Sequence, residues 1–356
     1  MNMHTKGLTA KISEDQTSLE NVEPINWLER LSKYKSADDT RGYFELGLSI
    51  VLFAGTWALA WFALQYSVVL GLLLTIPAGG LLIRIFAIQH DCGHGALFSK
   101  KEINDWVGRT LGVLTVTPYE YWRHAHALHH ASSGNLDRRG FGDIDTITVE
   151  EYQALSSFGK LKYRLYRNPF VMFGIGPAYV FLLKQRLPFE MLNKGLKPWI
   201  STQGTNVMAA VLFAGMIYLV GWKAFLLIQV PTILVAASIG VWLFYVQHQF
   251  EDTRWERNKN WKRENAALYG SSYYDLPKPL MWLTGNIGVH HVHHLSAAIP
   301  FHKLPKIVKD YPELREIGRL TLWESLRCVH LALWDEASSE MISFRKLRQN
   351  QIAAAA

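Results

Sequence analysis

Thirty-eight consecutive residues, 46 to 83, contain no Asp, Glu, Lys or Arg. Coiled into one helix they would run about 57 Å at 1.5 Å per residue, nearly twice the roughly 30 Å hydrocarbon core of a bilayer. Two antiparallel spans, 45–64 and 68–89, fit better, with a short polar turn at Gln65, Tyr66 and Ser67. A second block runs from Trp199 to Phe250 with Lys223 as its only charge, and reads as spans 203–221 and 225–247 joined at Gly221-Trp222-Lys223. Trp57, Trp61, Trp222 and Trp242 include interfacial anchors among residues that otherwise pack. Charged residues make up 19% of the chain, below the roughly 25% of a typical soluble domain. The expected fold class is therefore all-α: an integral membrane protein with four transmembrane helices.

The basic residues set the orientation. Apart from Arg84 and Lys223, they lie in the N-terminal segment, the central region 97–198 and the C-terminal region. The positive-inside rule then puts both termini and the central region in the cytoplasm. A net charge of +7 suits a protein lying against anionic headgroups, without a nucleic-acid partner. Residues 1–40 are polar and resemble no signal peptide. Within them Ile25, Leu28, Leu31 and Tyr34 recur at helical spacing, which predicts an amphipathic helix on the membrane surface. Residues 169–183 are apolar but short and broken by Pro169, Gly174, Gly176 and Pro177, so an interfacial or re-entrant segment is expected there. The domain division is 1–44 as a cytoplasmic amphipathic segment, 45–305 as the membrane unit and 306–356 as a cytoplasmic C-terminal segment. Two cysteines, Cys92 and Cys328, build no disulfide scaffold.

The 14 histidines are clustered. His90 and His94 are four apart at the end of the second span, so both rings leave one face of a continuing helix. His126, His129 and His130 form a His-x-x-His-His pattern with His124 just ahead; His290, His293 and His294 repeat it around His291. Positions i, i+3 and i+4 share a helical face. His248 stands alone at the end of the fourth span. His4 and His330 read as ordinary surface residues. All clusters fall on one predicted membrane side, and with His248 they hold nine candidate ligands, too many for one metal. A dimetal site with four or five imidazoles per ion leaves room for an exogenous ligand. No His-Glu-x-x-His occurs, and the histidines flank the spans where a transporter would place ligands within them. Such a site beside hydrocarbon points to iron and O2 chemistry, although spacing alone does not separate iron from zinc.

His90-Asp91-Cys92-Gly93-His94, His126-Ala127-Leu128-His129-His130 and His290-His291-Val292-His293-His294 resemble the three histidine boxes of membrane fatty acid desaturases. The stretch Gly285 to Leu295, the Gln247-His248-Gln249-Phe250-Glu251 element and Gly142-Asp143-Ile144-Asp145-Thr146-Ile147-Thr148 resemble bacterial acyl-lipid desaturases related to the delta-12 and omega-3 types. The resemblance covers about 45–305. It implies a four-helix membrane stem, a cytoplasmic cap in the bacterial inner membrane setting, and two iron ions. The implied ligands are His90, His94, His126, His129, His130, His248, His290, His293 and His294. It also implies an acyl lipid or acyl thioester substrate, O2 as cosubstrate and insertion of a cis double bond. No cytochrome b5-like His-Pro-Gly-Gly occurs, so the reductant is expected to be a separate protein such as ferredoxin or another small redox protein. Related acyl-CoA enzymes carry a water-linked Asn four residues before the lone histidine; Phe244 stands there, and Asn286 is a possible substitute. His124, His291, Asp91, Asp143 and Asp145 are candidates for orienting ligands. Segments 104–122 and 169–183, with Trp106, Tyr119, Tyr121 and Trp122, are candidate walls of an acyl tunnel, and Arg138, Arg139 and Lys303 could meet a headgroup or an acidic donor. Rival readings are a hydroxylase or ketolase on the same scaffold, and a membrane zinc-binding protein.

Overall fold

The computed structural model describes residues 26–140 and 142–355. His4 and Ile25 lie outside the described residues. Sixteen helices are described, in chain order. They are α1 (Trp27–Leu31), α2 (Asp39–Leu64), α3 (Val68–Gly93), α4 (Lys101–Leu114), α5 (Tyr119–Ser132), α6 (Val149–Ala154), α7 (Ser157–Tyr166), α8 (Gly176–Leu182), α9 (Leu196–Val220), α10 (Trp222–His248), α11 (Arg263–Tyr269), α12 (Lys278–Leu283), α13 (His290–Leu295), α14 (Leu304–Asp310), α15 (Leu322–Cys328) and α16 (Phe344–Ala355). The five short strands are β1 (Ile147–Thr148), β2 (Tyr273–Asp275), β3 (Arg319–Thr321), β4 (Leu333–Asp335) and β5 (Glu340–Ile342). β4 pairs parallel with β1 and antiparallel with β5, and β2 pairs parallel with β3.

Helices α2, α3, α9 and α10 are long and apolar enough to cross a membrane. Three cover their predicted spans and α9 stops one residue short of its own at Val220, and each extends beyond its span at one or both ends, because polar caps and the histidine-bearing turns continue the helix past the apolar block. Asp38 caps α2 by accepting from the Arg41 N–H at 3.0 Å, and Ser67 caps α3. The charges that bound the first block, Glu45 and Arg84, meet in a buried ion pair, which fixes α2 and α3 as an antiparallel hairpin. Arg84 also donates from Nε to Ser49 Oγ at 3.1 Å and lies 3.9 Å over the Trp282 ring. A buried pair satisfied on several sides avoids the desolvation penalty of a lone charge. Trp57 does not face an interface: it is buried, and its Nε1 donates to Gln229 Oε1 on α10 at 3.0 Å. Trp222 is exposed.

Helices α3 and α10 pack against each other as the inner pair, and α2 and α9 lie outside them. Small residues allow the approach; a Cβ on Gly79 would meet Val235 at 2.5 Å. Residues 169–183 form a single π turn, Val171–Ile175, followed by the seven-residue α8. That is too short to cross a bilayer, and Phe170 and Ile175 are exposed. The helical spacing of Leu28, Leu31 and Tyr34 resolves into α1 and a 3-10 turn, with Leu31 and Tyr34 buried against the cap. Trp27 and Tyr34 both pack on Tyr311, so this face is consumed by protein packing. Residues 306–355 pack into the same cap: Ile307, Val308 and Leu314 join Ile85 and Ile88 in one core, and Leu333 is fully buried.

Candidate metal centre

The nine clustered histidines converge at the cap end of α3 and α10 in two groups. His90, His94, His126, His130 and His293 form one; His129, His248, His290 and His294 form the other. Within each group the ring nitrogens lie within 4.8 Å of one another. Helix α5 sends His126 and His130 to the five-histidine group and His129 to the other, whereas α13 sends His290 and His294 to the four-histidine group and His293 to the other. The i, i+4 pair of each helix stays together and the i+3 residue crosses over. The groups adjoin, with the His130 and His294 rings stacked at 4.1 Å.

The nitrogen spacing matches a coordination shell. In the four-histidine group, Nε2 atoms form a closed ring: His129 to His248 at 3.1 Å, His248 to His290 at 3.0 Å, His290 to His294 at 3.1 Å and His294 to His129 at 3.2 Å. In the other group His126 Nε2 lies 2.9 Å from His90, 3.1 Å from His94 and 3.0 Å from His130, and His293 is 3.1 Å from His130. Metal–nitrogen bonds of about 2.0–2.1 Å place neighbouring ligand nitrogens roughly 3 Å apart.

The tautomers test whether a cation fits. His129 Nδ1 faces the Asp143 carboxylate, and His248 Nδ1 faces the Gly270 carbonyl at 3.2 Å. Both oxygens accept, so each neutral ring carries its hydrogen on Nδ1 and presents a lone pair at Nε2. Those two lone pairs point at each other across 3.1 Å. Between two such neutral rings no hydrogen bond forms, and a metal ion held there would be coordinated by both. Burial, helped by the neighbouring imidazoles, pushes His126, His130, His290, His293 and His294 well below the ordinary histidine range, keeping them in the neutral, ligating form. The residues present therefore fit two metal ions.

The loops around the site hold it in register. Gly142 has φ of +76°, and a Cβ there would come within 2.9 Å of Ala125 O, so glycine lets this loop close on α5 and carry Asp143 to His129. Gly288 lies so near β2 that a Cβ would meet Tyr274 O at 2.4 Å, which seats the start of α13. The glutamines flanking His248 tie α10 to both sides: Gln247 Nε2 donates to Ile287 O at 3.0 Å, and Gln249 Oε1 accepts from Thr146 Oγ1 at 3.1 Å and from Arg167 at 3.0 Å. Asp91 lies 3.4 Å from His90 Nδ1 and accepts from the Phe301 N–H at 2.6 Å.

The other predicted site residues divide. Asp143 and Asp91 face His129 and His90 of the two groups, but Asp145 is exposed and contributes its backbone carbonyl, which accepts from Arg167 at 3.1 Å and from Tyr163 OH at 3.2 Å. His291 turns away from both groups, donating from Nε2 to Leu314 O at 2.8 Å, and burial lowers it to about 4. His124 lies on the exposed side of α5, outside both groups. Asn286 adopts φ of +53° and donates from Nδ2 to Phe301 O at 3.3 Å. Phe244 instead packs its ring 4.9 Å from that of His129 and 5.4 Å from that of His248. Arg139 is held by Glu151, and Lys303 donates to Ser36 Oγ at 3.0 Å, so both are committed within the fold.

A cavity of about 400 Å³ runs between α3 and α10 up to the histidines. Leu82, Ile83, Ile233, Ala236 and Gly240 line its apolar depth, and His90, His126 and His290 stand at its head. Tyr121 and Trp122 are in its wall, with Trp122 stacked on His126 at 4.7 Å. Trp106 is 66% exposed and outside the lining, and Tyr119 is buried elsewhere, its hydroxyl donating to Cys92 O at 2.8 Å. Sequence reasoning missed the α10 wall, because an apolar span looks alike on its lipid and cavity faces. It also missed the Gly270 carbonyl, for which side-chain identity gives no signal.

The family model described as fatty acid desaturase matches residues 56–325. A fatty acid desaturase of Bacillus subtilis (strain 168) is 45% identical over 90% of this chain and 90% of its own. An sn-1 acyl-lipid omega-3 desaturase (ferredoxin) of Synechocystis sp. is 28% identical over 80% of this chain and 79% of its own. An sn-1 oleoyl-lipid 12-desaturase of Synechocystis sp. is 27% identical over 73% and 71%.

Proposed function

The chain belongs to the fatty acid desaturase family, and from that premise we propose that it inserts a cis double bond into the acyl chain of a membrane lipid, using O2 and two iron ions held by its nine clustered histidines. The observation that carries this reading is the cavity: an apolar slot between two membrane helices that ends on His90 and His126 of one group and His290 of the other. Substrate carbons at its head face both proposed iron positions at once.

The balanced reaction takes two hydrogens from adjacent methylenes. With O2, two electrons and two protons, the products are one alkene and two waters. The iron ions, when bound and reduced, would activate O2, which supplies the oxidising power that breaks two unactivated C–H bonds. The protein supplies geometry. Leu82, Ile83 and Ile233 hold the chain and exclude water, and Tyr121 and Trp122 confine it where the slot meets the histidines. Asp143 and the Gly270 carbonyl keep the Nε2 lone pairs of His129 and His248 turned inward. The distribution of basic residues supports a cytoplasmic metal centre and cytoplasmic termini in a bacterial inner membrane. The ferredoxin in the name of one relative supports a separate small redox protein as donor.

The test is expression in a host without polyunsaturated lipids, followed by mass spectrometry of fatty acid methyl esters. A new double bond at one position is expected, and a hydroxy fatty acid would contradict the reading in favour of oxygen insertion on the same scaffold. His293→Ala is expected to abolish the product and lower iron content, while His4→Ala changes neither.

A further inference from the structure

Several cations of the cap are ion-paired: Arg109 with Glu120, Arg123 with Asp105, Arg257 with Asp137 and Glu336, and Arg319 with Asp275. A pocket between α7 and the C-terminal α16 differs. It has a volume of about 650 Å³, and its lining includes Lys160, Arg164, Arg345 and Arg348 with no Asp or Glu. Among the described residues, none of these four forms an ion pair. Arg164 is aimed by its surroundings: its Nε donates to Tyr152 OH at 2.7 Å, and its guanidinium lies 5.2 Å over the Phe344 ring. Four like charges around one concavity repel each other and create a local field that an anion relieves. Planar guanidinium groups suit the oxygens of a phosphate.

The same helix says where that phosphate comes from. Lys160 and Arg164, four apart, face the pocket, while Phe158, Leu161 and Leu165 project from α7 with 76%, 54% and 54% of their surface exposed. Exposed apolar residues continue along the chain through Phe170, Ile175 and Leu183 to Leu196 at the start of the membrane-crossing helix α9. A cationic pocket beside an apolar helix face is the arrangement that meets an anionic lipid surface.

We propose that Lys160, Arg164, Arg345 and Arg348 form a binding site for the phosphate headgroup of an anionic phospholipid, separate from the metal centre, with its acyl chains lying over the exposed face of α7. The site docks the C-terminal helix and α7 to the membrane surface as one unit.

The test uses the full chain in nanodiscs of dioleoylphosphatidylcholine, with and without an equal amount of dioleoylphosphatidylglycerol, and reads the gain in Tm due to the anionic lipid. A gain of about 3–5 °C is expected for the wild type. The double variant Lys160→Gln with Arg348→Gln is expected to lose most of it while keeping the wild-type Tm in phosphatidylcholine alone. Lys162→Gln with Lys346→Gln removes the same charge from the same two helices outside the pocket and is expected to keep the gain. Lys160→Arg with Arg348→Lys is expected to keep it too, which guards against a folding defect in the glutamine pair. Equal loss in both glutamine pairs would overturn the site in favour of diffuse charge. Inorganic phosphate giving the full gain in phosphatidylcholine nanodiscs would overturn the lipid assignment. Loss of ferredoxin binding with an unchanged lipid response would reassign the pocket to a protein partner.

Discussion

The five-histidine and four-histidine groups draw on the same two helices, α5 and α13, with the shares reversed, and differ in their remaining members. His90 and His94 serve only the larger group; His248 serves only the smaller. All four rings of the smaller group are buried, and two have their Nδ1 atoms fixed by Asp143 and Gly270. In the larger group His94, His126 and His130 are only half-buried. The shared helices couple the two positions mechanically, and the dedicated residues make them separable chemically. A change that moves α13 should therefore strike both groups, and a change in a dedicated ligand only one.

The largest expected effect follows from the shared helix. Gly288→Val forces a side chain onto the Tyr274 carbonyl and displaces α13, so iron content measured by plasma mass spectrometry should fall to near zero along with product. Retention of one full equivalent would break the coupling argument. Next are the dedicated ligands: His94→Ala and His248→Ala should each remove about one iron per chain and cut product formation by at least about 100-fold. If either removed both irons, the two groups would not be separable.

Asp143→Asn should act more gently and only on the smaller group. Loss of the carboxylate on His129 typically weakens metal affinity by about 10–100-fold, and iron titration of the apoprotein would show one weakened step, with Asp145→Asn as the unaffected control. Gly240→Leu tests the cavity without touching metal. Its side chain would enter the slot beside Ile83, so roughly tenfold discrimination against the longest acyl chains is expected at unchanged iron content, read as the product profile of mixed lipids.

The membrane helices were legible because absence of charge over tens of residues has few other meanings. Their ends were less so, since Asp38 and the turn holding His90 and His94 extend helix into polar sequence. Eight of the nine clustered histidines were legible from i, i+3 and i+4 spacing and His248 from its place at the end of the fourth span, yet the crossing of His129 and His293 into opposite groups was not. Spacing says which rings share a helical face, and only the packing of α5 against α13 says which ring meets which. Asp143 was legible within the Gly-Asp-Ile-Asp element, whereas Asp145 and His291 looked equivalent to functional neighbours and turned out to bind backbone or carry backbone contacts. Tyr121 and Trp122 line the slot whereas Trp106 and Tyr119 do not, a division set by how α4 and α5 pack and not by residue type. The basic pocket was invisible, because its halves lie nearly the whole cap apart in sequence, on α7 and α16.

Anomalous diffraction at the iron absorption edge, from crystals of protein expressed in iron-replete medium, addresses the two-ion centre most directly. Two peaks are predicted per chain, one among His90, His94, His126, His130 and His293 and one among His129, His248, His290 and His294. A single peak, or two peaks that appear at the zinc edge instead, would contradict it.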